Sequence, residues 1–178
     1  YAAAIPLAEK YLILTEVTFG RENRQVATAL NKLAGLYLKL GHYAEAEPLY
    51  QRALAIREKA LNSEDSKVAT SLNNLALLYV KQGHYEKAEP LYLRSLEIRK
   101  KVLDHEHPEV ALALNNLAGL HVKQGRYEKA ELRFKRALAI YEKDLGLNHP
   151  RVATTLNNLA RLHVKQGRYK KAEPLYIR

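Results

Sequence analysis

The sequence repeats itself every 42 residues, and this period constrains the fold more than any other feature. Residues 68–109 begin VATSLNNLALLYVKQGHYEKAEPLY, and residues 110–151 begin VALALNNLAGLHVKQGRYEKAELRF. The same frame gives the second helix and linker of a preceding repeat at 1–25, repeat 1 at 26–67, repeat 2 at 68–109, repeat 3 at 110–151 and a truncated repeat 4 at 152–178. Repeats of this size contact their neighbours in a row, so we expect one repeat domain over residues 1–178.

Each repeat contains two helical patterns separated by a glycine. In repeat 2 the apolar residues of the first pattern, helix A, recur at i, i+4, i+7, i+8 and i+11, and they therefore share one helix face: Val68, Leu72, Leu75, Ala76 and Tyr79. Gly83 follows where helix A should end, because glycine adopts a left-handed backbone at little cost. The second pattern, helix B, begins near Tyr85 and repeats at three and four residues: Ala88, Tyr92, Ser95 and Leu96, with Arg99 as a further candidate.

The residues before each helix A are typical of helix starts. Asn23 and Asp65 have side chains that cap a helix well, and His107 and His149 occupy the same position one and two repeats later. Each of these histidines is followed by proline, which fits the first helical position. Another proline recurs near the end of the first turn of helix B, where we expect local bends and not breaks: Pro6, Pro48, Pro90 and Pro174.

Two helices of this length cannot bury their apolar faces alone, so each repeat must cover the next. The sequence therefore predicts an all-α fold, an α-solenoid of stacked antiparallel helix pairs with right-handed superhelical curvature.

The same positions resemble a known family. Leu72, Leu75, Ala76 and Tyr79, followed by Ala88-x3-Tyr92 and a small Ser95, look like the tetratricopeptide repeat, with leucine in place of its usual tryptophan and alanine in place of its usual glycine. The period of 42 residues exceeds the usual 34 of that family. This long form, with LNNLA, AEPLY and a linker such as GLNHP, is similar to the repeats of kinesin light chain and of related bacterial arrays.

The resemblance implies a scaffold for protein–protein interactions whose concave groove is lined by the face of helix A opposite the apolar one. An asparagine recurs on that face although it is a mediocre helix former, and its amide can both donate to and accept from a peptide backbone. Lysines on the same face would attract carboxylates, and Gly35 and Gly119 would leave space for a ligand side chain. The candidate peptide-binding residues are Asn31, Lys39, Asn73, Asn74, Leu77, Lys81, Asn115, Asn116, Gly119, Lys123, Asn157, Asn158, Arg161 and Lys165. We therefore expect an extended, acid-containing peptide as the ligand.

A structural interpretation of the same residues stays open. The asparagines can instead bond the neighbouring helix, and the lysines can be solvated residues near a helix end that interact with its dipole. Helix packing is the expected role of His121 and His163, and of the tyrosine that recurs as Tyr1, Tyr43, Tyr85, Tyr127 and Tyr169.

The charge distribution supports a second hypothesis. The chain carries a net charge of +10, and residues 110–178 contain 14 basic and 5 acidic side chains. Such a surface could bind a polyanion, either a nucleic acid or an acidic surface. A third hypothesis is end-to-end self-association, because the sequence begins and ends inside helix B and so exposes apolar residues meant for a neighbouring repeat.

Several kinds of chemistry are not expected. The chain has no cysteine, which excludes disulfides and thiolate sites, and HExxH, GxSxG, GxxxxGK[ST] and GxGxxG are absent. Asp104 to His107 form a linker, so no metal site is expected there. We predict a protein that is not an enzyme, without catalytic residues or cofactors. Charges interrupt every apolar stretch before the roughly 18 residues that a membrane span needs, which predicts no membrane insertion and a cytoplasmic location.

Overall fold

A computed structural model describes residues 1–60 and 64–178, so residues 61–63 of the predicted repeat 1 lie outside the described residues. The described chain is an all-α solenoid built from antiparallel helix pairs. After a 3₁₀ turn at Ala2–Ala4, the helices are α1 (Ile5–Phe19), α2 (Arg24–Leu40), α3 (Tyr43–Ala60), α4 (Ser66–Gln82), α5 (Tyr85–Val102), α6 (Pro108–Lys123), α7 (Tyr127–Leu145), α8 (Pro150–Lys165) and α9 (Tyr169–Ile177). The even-numbered helices correspond to helix A and the odd-numbered ones to helix B.

The predicted helix starts are confirmed at all four helices A. The Asn23 side chain accepts a hydrogen bond from the backbone N–H of Gln25 at 2.9 Å, and Asp65 accepts from Lys67 N–H at 2.6 Å. The histidines use Nδ1 in the same way: His107 accepts from Glu109 N–H and His149 from Arg151 N–H, both at 3.1 Å. Each cap supplies an acceptor for one of the N–H groups that a helix start leaves unpaired.

The helix ends also follow the sequence. Helix α4 ends at Gln82, and Gly83 follows with a left-handed φ of 82°. Pro48, Pro90 and Pro174 lie inside continuous helices, and Pro6 is the second residue of α1, so none of them breaks its helix.

The predicted apolar faces form the core. All five residues of the repeat 2 helix A face are buried, and so are the helix B residues: Ala88, Tyr92, Ser95, Leu96 and Arg99. His121 and His163 are buried as the packing interpretation requires. The packing expectation for the recurrent tyrosine is wrong at Tyr1 and Tyr169, whose side chains are mostly exposed, whereas Tyr43, Tyr85 and Tyr127 are half-buried.

The chain divides into two compact units, Tyr1–Ile98 and Arg99–Arg178. In the first unit, α1, α2 and α3 meet around Leu30, Ala53 and Ile56. In the second unit, one cluster lies around Ile140 and Leu156 and another around Phe134 and Leu162. That the units form the single repeat domain expected from the sequence stays a prediction.

The described residues form neither a membrane-spanning helix nor a cluster of metal-binding side chains. No helix in that part of the chain is both long enough and apolar enough to cross a membrane. Within the same residues, no group of three or more histidine and carboxylate side chains is arranged to hold a metal ion.

Candidate peptide-binding site

All the predicted site residues lie on helices A, but they differ in exposure. The cationic ones are exposed: Lys39, Lys81, Lys123, Arg161 and Lys165. Most of the others are half-buried: Asn31, Asn74, Leu77, Asn115, Asn116, Gly119 and Asn158. Asn157 is exposed, whereas Asn73 is buried with 8% of its surface accessible. The predicted face is therefore a partly covered wall with a cationic edge.

Within each unit, the two helices A are joined through their asparagines. In the first unit the Asn74 side-chain amide donates to Asn31 Oδ1 at 3.3 Å, and Asn31 Nδ2 donates to the Ala27 carbonyl at 2.9 Å and to Ser71 Oγ at 3.3 Å. In the second unit Asn158 donates to Asn115 Oδ1, also at 3.3 Å. The structural role left open by the sequence is therefore present. An amide has two donor hydrogens and two acceptor positions, so Asn74 keeps capacity for a ligand.

A groove of about 680 Å³ opens in the first unit between α1 and α2, with α3 and α4 at its floor. Three predicted residues line it: Asn31, Lys39 and Asn74. Leu7, Tyr11 and Leu36 add apolar surface. The groove thus combines an apolar wall with side-chain amides and an ammonium group, as ligand sites commonly do.

Gly35 shapes the groove floor. A Cβ at this position would lie 3.6 Å from the hydroxyl of Tyr50, which also lines the groove. Burial raises the pKa of Tyr50 to about 12, so its hydroxyl stays protonated at neutral pH and can donate a hydrogen bond. The sequence expectation of space at Gly35 holds only for a side chain that avoids this hydroxyl.

Two lysines of α2 stand over aromatic rings of the N-terminal segment. Lys39 Nζ lies 4.4 Å from the centre of the Tyr1 ring, and Lys32 Nζ lies 5.7 Å from that of Tyr11. Such contacts orient an ammonium group without neutralising it. Among the described residues neither lysine makes an ion pair, so both charges are available to an anionic ligand.

The contribution of α1 was missed by the sequence analysis. Leu7, Ala8 and Tyr11 belong to a helix B, whereas the predicted groove face lies on helices A alone. A signal was present, because Tyr11 stands where the other helices B have the small residues Ala53, Ser95 and Ala137.

In the second unit the predicted residues lie on α6 and α8. Gly119 faces open space, because a Cβ there would meet no atom within 4 Å. Arg161 is the equivalent of Gly119 one repeat later, and it is exposed, as are Lys123 and Lys165. The Asn115–Asn158 hydrogen bond repeats the pairing seen in the first unit.

Comparison with known proteins identifies the family. Two family models, both described as tetratricopeptide repeat, match residues 26–66 and, in two overlapping segments, residues 67–143 and 133–178. The chain belongs to the tetratricopeptide repeat family. This tetratricopeptide repeat array is a scaffold for protein–protein interactions.

Solved structures extend the comparison, whereas no curated protein matches the sequence. A putative kinesin light chain from Podosopora anserina with nearly identical TPR-like repeats is 27% identical over 98% of this chain and 82% of that one, with a TM-score of 0.81. BtubC (BKLC) from P. vanneervenii is 26% identical over 98% and 67%, with a TM-score of 0.75. The resemblance to kinesin light chain repeats is thereby confirmed.

A more distant group is also similar. A Rap protein, solved in complex with competence and sporulation factor, is 25% identical over 86% of this chain and 41% of that one, with a TM-score of 0.76. Aspartyl phosphate phosphatase F from Bacillus subtilis is 19% identical and shows the fold alone. That this chain is not an enzyme stays a prediction.

Proposed function

We propose that this chain binds an extended, acid-containing peptide segment of a partner protein along the exposed face of its helices A. The groove of the first unit carries the proposal, because it brings predicted amide and ammonium groups to one apolar concavity. We extend it to the predicted residues of α6 and α8, where the same residue types recur in the same register. A Rap protein of similar fold forms a complex with competence and sporulation factor, which supports a binding role for this array.

The chemistry of the groove favours this class of ligand. An extended peptide presents backbone N–H and C=O groups, and the amide of Asn74 can pair with both. The positive charges of Lys32 and Lys39 favour a carboxylate in the peptide, next to the part of its backbone that pairs with Asn74. Leu7, Tyr11 and Leu36 favour an apolar side chain in the peptide. Its burial would add affinity without requiring a particular bonding geometry.

The test begins with a random peptide library displayed against the whole chain. Enriched peptides should contain Asp or Glu next to an apolar residue. The dissociation constant of one such peptide is then measured by fluorescence anisotropy for wild type and for three variants: Asn31→Ala/Asn74→Ala, Lys32→Ala/Lys39→Ala, and Lys10→Ala. Lys10 is an exposed lysine of α1 that does not line the groove and serves as the matched control.

We expect the double asparagine variant to weaken binding by about 10-fold or more, as the loss of two hydrogen bonds implies. The double lysine variant should weaken binding by about 5-fold and should no longer distinguish the peptide from its Asn or Gln counterpart. Lys10→Ala should bind like wild type. Undiminished binding by the double asparagine variant, at an unchanged melting temperature, would show that the amides do not hold the ligand.

A further inference from the structure

Near the end of each helix B and the start of the next helix A, two positions recur in the same register. In sequence register these pairs are Thr15 with Gln25, Arg57 with Lys67, Arg99 with Glu109, and Tyr141 with Arg151. Arg99 Nη2 lies 3.5 Å from Glu109 Oε2, and the Arg151 guanidinium lies 5.7 Å from the centre of the Tyr141 ring. Those two pairs place a cation against a carboxylate or an aromatic ring. At Arg57 and Lys67, by contrast, both positions carry a cation.

Arg57 is a buried guanidinium with 6% of its surface accessible. Its Nη1 donates to the Lys67 carbonyl and to Ser71 Oγ, both at 2.9 Å, and its Nη2 lies 3.5 Å from Thr28 Oγ1. Nε is buried and has no acceptor among the described residues. Nε and Nη2 form the edge of a guanidinium that binds a carboxylate through two parallel hydrogen bonds. Within the described part of the chain, that edge therefore makes one long contact, with a neutral hydroxyl.

The acid whose charge acts on this guanidinium, Asp65, is engaged elsewhere. Asp65 Oδ1 accepts the Lys67 N–H at 2.6 Å, which engages it in capping α4. Burial lowers the pKa of the Arg57 guanidinium, and the charge of Asp65 acts in the opposite direction. A buried cation without a close counter-charge is costly, because desolvation is not offset by a strong local attraction.

The next junction shows what such an edge accepts. The Glu109 carboxylate meets Arg99 there, and its side chain is 36% exposed, so this position is reachable from solvent. At the equivalent place in the first unit stands Lys67, an exposed lysine that adds positive charge. We infer that the Nε and Nη2 edge of Arg57 is a binding site for a carboxylate supplied from outside the chain, at the position that Glu109 occupies beside Arg99.

The carboxylate is either an acidic side chain of a bound peptide or a small free acid. The inference goes beyond the proposed groove, since Arg57 does not line it. It also gives Lys67 a role, because an ammonium group beside the edge would attract the same anion.

The matched variant for the test is Lys67→Glu. It places at this junction the glutamate that Glu109 supplies beside Arg99 at the next junction. Acetate at 0.1 M, with ionic strength held constant, should raise the melting temperature of wild type by roughly 2–4 °C, as for a site with a dissociation constant in the tens of millimolar. Lys67→Glu should melt higher than wild type without acetate and should gain nothing from it. Lys10→Glu, with the same charge change on α1, should keep the wild-type response to acetate.

A second measurement reports on the atom itself. In ¹H–¹⁵N spectra, the Arg57 Nε–H signal should shift saturably with acetate in wild type and should not respond in Lys67→Glu. A capped Gly-Ser-Glu-Ser-Gly peptide and its Gln counterpart distinguish the two sources of the carboxylate. Tighter binding of the Glu peptide than of acetate assigns the site to peptide side chains, and equal binding assigns it to small acids; either result supports the site.

Two results would overturn the inference: an Arg57 signal that no carboxylate shifts, or a Lys67→Glu variant that responds to acetate like wild type. Both are independent of the groove, because Lys32→Ala/Lys39→Ala should retain the acetate response even where it loses peptide binding.

Discussion

In the first unit, single polar residues connect α2 and α4 to the helix B that precedes each of them. Tyr37 Oη donates to Glu9 Oε1 at 2.8 Å, and Tyr79 Oη donates to Glu47 Oε1 at 3.1 Å. Two repeats after Tyr79 the same position is His163, and Glu131 takes the place of Glu47. An acid thus stands at this position in both units, and in the second unit the charge of His163 acts on it.

Glu131 should make stability depend on pH. The largest cause lowering its pKa is the hydrogen bond from Lys135 at 2.6 Å; burial is the next largest and raises the pKa, and the charges of Lys135, His163 and Lys171 lower it further. A carboxyl whose folded pKa lies below its ordinary value of 4.5 stabilises the fold above that value. The contribution is lost as the pH falls through the folded pKa.

Glu131→Gln should accordingly melt about 2–4 °C below wild type at pH 7, and the difference should shrink as the pH is lowered below 4.5. Glu128→Gln, an exposed acid on the same helix, is the control and should show a smaller difference. Melting temperatures from pH 2.5 to pH 7 measure both. A difference that stays constant over this range would mean that Glu131 acts through packing and not through its charge.

Residues whose role depends on local sequence were predictable, and those whose role depends on another repeat were not. The caps Asn23 and His107 act on N–H groups two residues away, so their type and position sufficed. The Asn31–Asn74 hydrogen bond joins residues 43 positions apart, and the sequence could offer it only as one of two interpretations. Tyr11 was missed because its contribution to the groove depends on how α1 lies against α2.

At the scale of elements, glycine has opposite roles at the end and in the middle of a helix A. After α4, Gly83 has a φ of 82°, its N–H donates to the Val80 carbonyl at 3.3 Å, and the next N–H donates to Tyr79 at 2.8 Å. This arrangement satisfies carbonyls that the helix end would leave unpaired. Gly119 lies inside α6, where glycine weakens a helix by its flexibility.

Alanine substitution should therefore change stability with opposite signs at the two sites. Gly83→Ala should lower the free energy of unfolding by about 1 kcal/mol, because a Cβ disfavours the left-handed backbone. Gly119→Ala should raise it by about 0.5–1 kcal/mol, since the new Cβ meets no atom within 4 Å. Urea unfolding of both variants measures the two changes. A loss of stability in Gly119→Ala would show that α6 is constrained there by something other than helix propensity.

The helices themselves were predictable because the apolar period and the glycines recur in every repeat. Repetition lets one ambiguous boundary be fixed by its equivalents, which a single helix would not allow. The expectation that the second face of helix A is an open groove wall was less accurate. Asn73 on that face is buried, which an angular count along one helix could not indicate because it leaves out the other helices.

At the scale of the whole molecule, the uneven charge should act on the rate of binding more than on its lifetime. The net charge is +10, and most of the excess lies in residues 110–178. A charge distributed in this way attracts an acidic ligand over distances comparable to the Debye length, about 10 Å at 0.1 M salt. The same field would attract any polyanion, so it contributes little to sequence specificity.

For an acidic peptide selected against the chain, we expect the association rate constant to fall about 3- to 10-fold between 50 and 300 mM NaCl, with the dissociation rate constant changing much less. The Lys170→Glu/Lys171→Glu variant reverses two exposed charges of the second unit and should lower the association rate at 50 mM NaCl without shortening the lifetime of the complex. Stopped-flow fluorescence separates the two rates, and a neutral Asn/Gln version of the peptide is the control. If salt instead accelerates dissociation, the acids are held by close ion pairs, and Lys32 and Lys39 become the groups to examine for that effect.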